Sequence, residues 1–312
     1  MTKKVAVQKT LSEVGKTTLK AYGIEVIELP DEKITTLLKY ASDVDGIILG
    51  TEPFPNETIF KMPNLKIIAR NGVGFDNIDV KFMRDHNIFV TITPLANAST
   101  VAETTMAEIM DVSKNLFNDS TQMRDDDWNY KNNHMGFDLA GKTLGILGYG
   151  RIGKMVAKKM SMLDMHINIY SPHLTQSEYG KKVDRNAIFR DSDIITLHMP
   201  VTPQTKGSIG KREFEMMKNN AVLVNLARGA LIKTDDLITA LKKQEIKAAA
   251  LDVFDEEPLP MDSELYQLKN VLLTPHIASN TVECMNRMAN DAASEIVRVL
   301  SGEKPLWQVK TK

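Results

Sequence analysis

The feature that most constrains the fold is an apolar run that leads into a glycine pattern and then a helical pattern, Lys142-Thr-Leu-Gly-Ile-Leu-Gly-Tyr-Gly-Arg-Ile-Gly153. Each glycine meets a separate need: Gly148 allows a sharp turn, Gly150 lets a pyrophosphate approach the main chain, and Gly153 lets the helix pack close to the strand. The helix N-terminus would then offer free N–H groups to the phosphates. The pattern predicts a dinucleotide site; a glycine-rich turn or a methyltransferase loop is the alternative.

Length and charge bound the classes of protein that remain. A chain of 312 residues can form two domains of ordinary size. The 39 basic and 40 acidic residues leave a net charge of −1, which offers no surplus to neutralise nucleic-acid phosphates or an anionic membrane. The sequence therefore predicts no nucleic-acid partner and no membrane partner.

The cysteine content and the apolar runs indicate the compartment. Cys284 is the single cysteine, so it cannot form an intrachain disulfide, and no spacing suggests a metal site. No apolar run approaches the roughly 18 residues of a membrane span, and the N-terminus enters a strand-like run directly. We expect a cytoplasmic protein without a bound metal.

Short β-branched runs alternate with helical segments through both halves of the chain, which predicts βαβ units and parallel sheets. The first half has candidate strands at Val5–Val7, Ile24–Leu29, Gly46–Leu49, Leu65–Ala69 and Ile88–Thr91. After the glycine pattern they lie at Ile167–Tyr170, Ile194–His198, Ala221–Asn225, Ala248–Val253 and Val271–Thr274. A last helix over about Val282–Leu300 could return to cover the first sheet. The predicted fold class is α/β, with two doubly wound parallel-sheet domains of Rossmann or flavodoxin type and a cleft between them.

Two connecting segments stand out from this alternation. Arg70–Asp79 places two glycines after a strand and before a helix near Asp79, a geometry whose backbone N–H groups can hold a small anion such as a carboxylate. A glycine turn with an Asp cap is the alternative. Residues 119–140 are rich in Asp and Asn with interspersed aromatic residues, so we interpret them as an irregular arm that contacts another subunit.

Three polar residues follow candidate strands of the second sheet, where ligands bind in open α/β folds. His276 is suited to donate a proton to a carbonyl oxygen, and a carboxylate such as Glu257 would stabilise its protonated form. Arg228 can hold a carboxylate through two parallel hydrogen bonds. Taken singly, Arg228 has the alternative of a surface ion pair, Glu257 of a solvated loop charge, and His276 of a capped turn residue.

The chain resembles the D-isomer-specific 2-hydroxyacid dehydrogenases over nearly its whole length. Six motifs in family order carry the resemblance: Asn71-Gly-Val-Gly-Phe-Asp-Asn-Ile-Asp79, Gly145-Ile-Leu-Gly-Tyr-Gly-Arg-Ile-Gly153, Met199-Pro-Val-Thr-Pro-Gln-Thr205, Val224-Asn-Leu-Ala-Arg-Gly229, Leu251-Asp-Val-Phe-Asp-Glu-Glu-Pro258 and Thr274-Pro-His-Ile-Ala278. The family's activity is hydride transfer between NAD(P)H and a small 2-keto acid or D-2-hydroxy acid.

The resemblance also implies residue roles and domains. It implies that Arg228 binds the substrate carboxylate, that His276 is the acid/base with Glu257 as its partner, and that the backbone of Val73 and Gly74 receives the carboxylate. The implied cofactor residues are Arg151, Ile152, Pro200, Thr205, Ala227 and Asp252, which join Gly148, Gly150 and Gly153 of the glycine pattern. Residues 1–98 with 282–312 would form a substrate-binding domain, and residues 99–281 a dinucleotide-binding domain with a dimerisation arm at about 119–140. A homodimer is expected.

Three alternatives remain open from the sequence. Phosphoglycerate dehydrogenases share the resemblance, but their loop after the third strand commonly offers an arginine, and Gly50-Thr-Glu-Pro-Phe54 has Glu52, which would repel a phosphate; Arg70 and Arg84 are possible substitutes. Corepressors that sense NAD(H) have a similar fold and residues equivalent to Arg228, Glu257 and His276, but they work as binding platforms. For the cofactor, Ser171 stands where NAD-specific relatives have an acid, so we predict use of both NAD and NADP with a modest preference for NADP.

Overall fold

The structure is a computed structural model that describes residues 2–310. Within that range the strands are β1 (Lys4–Gln8), β2 (Glu25–Leu29), β3 (Gly46–Leu49), β4 (Ile67–Arg70), β5 (Phe89–Thr91), β6 (Thr143–Leu147), β7 (His166–Tyr170), β8 (Lys181–Lys182), β9 (Ile194–Leu197), β10 (Val222–Asn225), β11 (Ala248–Leu251) and β12 (Val271–Leu273). The α-helices are α1 (Glu13–Ala21), α2 (Ile34–Tyr40), α3 (Val80–Asp85), α4 (Ala98–Lys114), α5 (Leu116–Arg124), α6 (Arg151–Ser161), α7 (Arg185–Asp191), α8 (Lys211–Met216), α9 (Thr234–Lys242) and α10 (Val282–Leu300).

The chain divides into two compact units. One consists of residues 1–97 and 280–312, and the other of residues 98–279. The boundaries predicted from the sequence lie after residues 98 and 281. Each unit has a parallel sheet with a hydrophobic cluster on either face, so the predicted α/β class with two parallel-sheet domains is confirmed.

The first unit has the strand order β2-β1-β3-β4-β5, and its strands pair in parallel. The chain reverses its direction of winding between β1 and β3, which is where ligands bind in sheets of this order. Helix α10 packs against α1, β3 and β4, and its apolar face is buried through Ala289, Ala293 and Ile296. The predicted return of the last helix to the first sheet is confirmed.

The second unit has the strand order β12-β11-β10-β9-β6-β7-β8, again with parallel pairing. Strand β6, the first of this unit in chain order, pairs with both β7 and β9, so the reversal of winding lies there. Because the strands are parallel, the loops that follow them leave from one edge of the sheet. Strand β8 is absent from the predicted strands, because its two exposed lysines carry no apolar pattern.

The predicted irregular arm at residues 119–140 is partly wrong. Helix α5 covers Leu116–Arg124, and a 3-10 turn covers Tyr130–Asn132. Asn115 adopts the left-handed conformation (φ 58°) and separates α5 from α4. No residue of α5 is buried, so the apolar periodicity that reveals a packed helix is absent from this segment.

Three predicted strands end earlier than expected, and the one predicted over Val271–Thr274 ends at Leu273. The strand predicted over Ala248–Val253 ends at Leu251, and the one predicted over Ile194–His198 ends at Leu197. Asp252 follows the apolar run of β11 directly in the sequence. Its side chain, however, accepts hydrogen bonds from a neighbouring loop, at the amides of Ile277 and Ala278. Within residues 2–310, no helix is both long enough and apolar enough to cross a bilayer.

Candidate active site

The residues predicted for catalysis and cofactor binding follow successive strands of the second unit and therefore gather at the carboxyl edge of its sheet. They are Gly148–Gly153 after β6, Ser171 after β7, Pro200 and Thr205 after β9, Ala227 and Arg228 after β10, Asp252 and Glu257 after β11, and His276 after β12. A ligand at the reversal between β6 and β9 would meet the first of these loops directly.

The three glycines of the β6 loop are required for different reasons. Gly148 has φ 98°, and a side chain there would collide with the carbonyl group of His198. A side chain at Gly153 would collide with the carbonyl oxygen of Gly148. At Gly150 an added Cβ meets nothing within 4 Å. Packing therefore requires Gly148 and Gly153, whereas Gly150 borders open space into which a ligand can come close to the backbone.

Helix α6 begins at that open space. The amide of Lys154 donates to the carbonyl of Gly150 (3.0 Å), and the amides of Arg151, Ile152 and Gly153 have no acceptor among residues 2–310. Free amides at the first turn of an 11-residue helix form a favourable site for an anion. The loop and the helix thus fit the pyrophosphate of a dinucleotide.

The loops after β7 and β9 flank this site. The amide of Gly148 donates to the carbonyl of Tyr170 (2.9 Å), which brings the end of β7 and the half-buried Ser171 beside the glycine loop. After β9, the Thr205 hydroxyl donates to the carbonyl of Pro200 (2.7 Å) and accepts from the amide of Thr202 (2.7 Å). Pro200 and Thr205 are therefore held together, with the Thr205 hydroxyl engaged inside its own loop.

A buried asparagine shapes the loop that presents Arg228. The Asn225 side chain is fully buried; its Oδ1 accepts from the amide of Ala227 and its Nδ2 donates to the carbonyl of Arg228, both at 3.0 Å. Arg228 is half-buried, and its Nη1 donates to the carbonyl of Ala227 (2.6 Å). The guanidinium is thus anchored at one nitrogen and keeps a defined orientation.

His276 and Glu257 are brought together as predicted. The Nδ1 of His276 lies 2.7 Å from Oε2 of Glu257, and Oε1 of Glu257 accepts from the amide of Phe254 (3.0 Å). Partial burial opposes the ionisation of Glu257, but the hydrogen bonds from His276 and Phe254, with the charges of His276 and Arg228, outweigh it and hold the pKa of Glu257 below its usual value. The carboxylate stays ionised and orients the imidazole so that Nε2 remains available.

Asp252 holds the loop that carries His276. Its Oδ1 accepts from the amide of Ile277 (2.7 Å) and its Oδ2 from the amide of Ala278 (2.8 Å), while its carbonyl accepts from the amide of His276 (2.9 Å). His276 itself has φ 53°, a conformation that a non-glycine residue keeps only when its surroundings impose it. The Asp252 side chain, which the sequence analysis placed beside the cofactor, is fully buried and bonds this loop.

Glu108, which the sequence analysis missed, joins the same network. It lies on α4 with 4% of its surface exposed, and its Oε1 is 3.0 Å from Oγ1 of Thr274. Burial, followed by the negative charges of Asp252 and Asp111, raises the pKa of Glu108 to about 8 against the opposing effect of the Thr274 hydrogen bond. Its spacing in the sequence could have indicated this burial. Glu108 lies three residues after Thr105 and seven after Val101, so it falls on the buried face of the helix.

In the first unit, the loop after β4 offers two neighbouring amides. Gly72 has φ 149°, its carbonyl accepts from the amide of Thr93 (2.9 Å), and the next two amides, of Val73 and Gly74, have no acceptor among the described residues. Asp79 caps α3 by accepting from the amide of Phe82 (2.9 Å). Both alternatives from the sequence thus hold together: the segment is a glycine turn with an Asp cap, and it also presents free N–H groups.

A second carboxylate missed from the sequence controls the loop after β3. Oε2 of Glu32 accepts from the amides of Thr51 (3.0 Å) and Glu52 (3.1 Å), and Nδ2 of Asn77 donates to the carbonyl of Glu52 (2.8 Å). Backbone N–H groups that could bind an external anion are therefore already bound to an internal one.

Comparisons with known proteins agree with this arrangement. Residues 106–278 match the model of the D-isomer specific 2-hydroxyacid dehydrogenase NAD binding domain. The chain is 36% identical to a glyoxylate reductase of Thermococcus litoralis over 98% of this chain and 96% of that protein. It is 38% identical to a D-3-phosphoglycerate dehydrogenase of Methanocaldococcus jannaschii over 95% of this chain but only 55% of that protein. A crystal structure of a Thermus thermophilus protein superposes with a TM-score of 0.92 at 32% identity, covering 98% of this chain and 100% of that one.

Proposed function

The chain belongs to the D-isomer-specific 2-hydroxyacid dehydrogenase family, and from that premise we propose that it reduces a small, unphosphorylated 2-keto acid to the D-2-hydroxy acid with NADH or NADPH. The observation that carries the proposal is the 2.7 Å contact between His276 and Glu257 at the carboxyl edge of the nucleotide-binding sheet. An ionised carboxylate that orients an imidazole is the arrangement that general acid–base catalysis needs.

In this proposal His276 moves the proton. When bound, the reduced nicotinamide supplies the hydride that adds to the carbonyl carbon. Protonated His276 donates from Nε2 to the carbonyl oxygen as the C=O π bond breaks, and Glu257 balances the positive charge through Nδ1–H. In the oxidative direction neutral His276 takes the hydroxyl proton back.

Substrate orientation is assigned to Arg228 and to the amides of Val73 and Gly74. A guanidinium forms two parallel hydrogen bonds with a carboxylate, which fixes the plane of a 2-keto acid as a lysine cannot. The free neighbouring amides in the β4 loop are donors of the kind that bind a small carboxylate.

The test of this function is His276→Ala. We expect keto-acid reduction to fall by roughly 10²–10⁴-fold, while NADH or NADPH binding, followed by nucleotide fluorescence, persists. His166→Ala is the matched control, because His166 is exposed at the amino end of β7, on the opposite edge of the sheet. Near wild-type turnover by His276→Ala would remove His276 from the mechanism.

We assign the cofactor to Gly148, Gly150, Arg151, Ile152, Gly153, Ser171, Pro200, Thr205 and Ala227, and we give Asp252, also expected there, a supporting role because its buried side chain bonds the His276 loop. Gly150→Ala separates binding from folding, because an added Cβ there has open space and costs the fold little. We expect its melting temperature to stay near that of the wild type while nucleotide affinity falls. Gly153→Ala should lower the melting temperature as well, since its Cβ collides with the backbone.

The nicotinamide preference is proposed to be dual, with a modest preference for NADPH. Ser171 follows β7 directly, and its hydroxyl has no hydrogen-bond partner within residues 2–310 and carries no charge to repel a 2′-phosphate. Steady-state kcat/KM for both cofactors with one keto acid measures the preference. A preference for NADH of about tenfold or more, equal to about 1.4 kcal/mol, would contradict the proposal. Ser171→Asp should move the ratio toward NADH.

The substrate is proposed to lack a phosphate group. The β3 loop lies beside the winding reversal of the first sheet, and its Thr51 and Glu52 amides are occupied by Glu32. Two carboxylates, Glu32 and Glu52, thus stand where a phosphate would need positive charge or free amides. A panel containing glyoxylate, pyruvate, longer 2-keto acids and phosphohydroxypyruvate tests this. Efficient reduction of phosphohydroxypyruvate above the others would favour the phosphoglycerate alternative.

We propose a homodimer formed through the segment around α5. Five large apolar side chains of that segment are exposed: Leu116, Phe117, Met123, Trp128 and Met135. Burial of such a cluster against a second copy would remove it from water. Light scattering after size exclusion should give a dimer, and Trp128→Asp should shift it toward monomer, whereas Tyr22→Asp in the other unit should not.

A cytoplasmic location is also proposed. The single cysteine, Cys284, is buried and free at the start of α10, as expected for a chain that needs no oxidising compartment. Cell fractionation followed by immunodetection would test it, and recovery in an exported fraction would contradict it.

A further inference from the structure

The hydroxyl group of Thr274 lies between two carboxyl groups. Its Oγ1 is 2.6 Å from Oδ1 of Asp252 and 3.0 Å from Oε1 of Glu108. A hydroxyl has one proton to donate, so it can donate to only one of these oxygens. The second short contact is a hydrogen bond only if the other carboxyl group is itself the donor.

The surrounding bonds identify Glu108 as that donor. Both oxygens of Asp252 already accept backbone N–H groups, from Ile277 and Ala278, so Asp252 serves as the acceptor of the Thr274 proton. Glu108 receives no such amide, and its buried Oε2 has no partner among residues 2–310. A proton on Oε1 of Glu108 therefore completes the chain Glu108 to Thr274 to Asp252.

The charges around Glu108 favour the protonated form. Helix α4 packs against α5, α6, β10 and β11. The end of β11 contributes Asp252, α4 itself contributes Asp111, and the end of β10 contributes the neutral Asn225. The lysines of α6 are exposed or only partly covered, and one of them, Lys159, pairs with Glu103 on the outer face of α4. The charges that raise the pKa of Glu108 are both negative, and they act together with its burial.

We propose that Glu108 is a positioning residue whose protonated carboxyl group holds Thr274 and, through Asp252, fixes the loop that presents His276. The proposal rests on the proposed function, in which His276 is the acid/base. It explains how His276 keeps its left-handed conformation, since Asp252 accepts the amides of both residues that follow it.

A change of charge on Glu108 has a defined consequence. Once ionised, Glu108 can no longer donate, and two carboxylates compete for one hydroxyl proton. The Thr274 end of the loop loses one bond and gains a repulsion, so His276 is held less well. We expect the loss in kcat rather than in the KM for the nucleotide, because the network touches the His276 loop.

The oxidation of a D-2-hydroxy acid by the full-length enzyme gives the clearest test. In that direction neutral His276 is the base, and we expect activity to fall at alkaline pH as Glu108 ionises near its raised pKa of about 8. In Glu108→Gln the amide donates to Thr274 at every pH, so the alkaline fall should disappear. Glu108→Leu, which cannot donate, should have a lower kcat across the range with no ionisation near 8.

The matched control is Asp111→Asn. Asp111 lies one turn further along α4, its pKa is also raised by burial, and its carboxylate accepts from the amide of Phe117 rather than from Thr274. The alkaline fall of the wild type should remain in Asp111→Asn, at a lower pH because one of the two charges that raise the pKa of Glu108 is gone. An alkaline fall that persists in Glu108→Gln, or that disappears equally in Asp111→Asn, would overturn the proposal.

A second measurement separates this proposal from the proposed function. The melting temperatures of wild type and Glu108→Gln are compared as a function of pH, without any substrate. The wild type should lose stability relative to the variant as the pH rises toward 8, and parallel curves would overturn the role of Glu108 even in an active enzyme. Absence of keto-acid turnover in the wild type, with diverging curves, would instead defeat the proposed function alone.

Discussion

Two loops of this molecule are held by the same device in different surroundings. In the first unit the Glu32 carboxylate accepts two consecutive amides, of Thr51 and Glu52. In the second unit the Asp252 carboxylate accepts two consecutive amides, of Ile277 and Ala278. Glu32 is partly exposed, whereas Asp252 is fully buried.

The difference in burial changes what each carboxylate can do. Water can replace Glu32 as the acceptor for the amides of Thr51 and Glu52. These hydrogen bonds therefore set the shape and charge of the loop but contribute little to the free energy of unfolding. Asp252 is fully buried, so the amides that it accepts would lie unpaired among protein atoms without it, and its charge also raises the pKa of the neighbouring Glu108. We call each carboxylate that accepts two consecutive amides a clamp. The exposed clamp, Glu32, is suited to discriminate between ligands, and the buried clamp, Asp252, to hold the loop that presents His276.

The largest expected effect is the pH dependence that burial imposes. Glu108 has a usual pKa of 4.5 and a folded pKa of about 8, so the unfolded chain releases its proton first as the pH rises. Its contribution to stability is fully present below pH 4.5 and is lost on the way to pH 8. Relative to Glu108→Gln, the free energy of unfolding of the wild type should fall by roughly 1.4 kcal/mol per pH unit in that window. Urea unfolding at several pH values measures it, and a flat difference would break the comparison.

Replacing Asp252, the buried clamp, should lower the free energy of unfolding by almost as much. In Asp252→Asn one amide N–H faces an NH₂ group instead of an acceptor, so we expect the free energy of unfolding to fall by roughly 3 kcal/mol and oxidoreductase activity to fall with it. Denaturant unfolding monitored by circular dichroism gives the first quantity. A loss no larger than that of an exposed substitution would mean that the loop has another support.

Glu257 provides an intermediate case, because it accepts one amide and orients His276. Glu257→Gln removes the negative charge that faces Nδ1 of His276, so the reductive pH profile should move to lower pH. The profile of kcat for keto-acid reduction measures the shift. An unmoved profile would reduce Glu257 to a loop residue.

The smallest expected effect is at the exposed clamp. Glu32→Gln keeps one acceptor oxygen and removes one charge, so the free energy of unfolding should change by less than about 1 kcal/mol. We expect instead a change in selectivity, with phosphohydroxypyruvate reduced relatively better than in the wild type. A destabilisation equal to that of Asp252→Asn would show that burial does not separate the two clamps.

The parts of the site that sequence could predict are those with a local cause. The glycine loop is a pattern of neighbouring residues, and Arg228, Glu257 and His276 each follow an apolar strand, so the rule that strand ends share an edge brings them together. Glu32 and Glu108 have no such local cause. Each acts on a loop from a distant part of the chain, Glu32 on residues 51–52 and Glu108 on Thr274, and only the tertiary fold joins them.

The same reasoning applies to the fold. Strands such as β3 and β10 are buried throughout, and they can be predicted because they are continuous apolar runs in the sequence. Helix α5 buries nothing, and β8 consists of two exposed lysines, so neither carries the hydrophobic periodicity on which such predictions depend.

That short strand β8 also bears on how the protein behaves in a crowded solution. A parallel sheet that ends in an open strand presents unpaired N–H and C=O groups, to which a strand of another molecule can add. Here the edge strand is only Lys181–Lys182, and both side chains are exposed. Two hydrated positive charges oppose the approach of the edge strand of a second molecule. Two residues also offer too few backbone hydrogen bonds to hold such a strand. The two lysines therefore disfavour aggregation through this edge of the sheet, although they contribute nothing to the hydrophobic core.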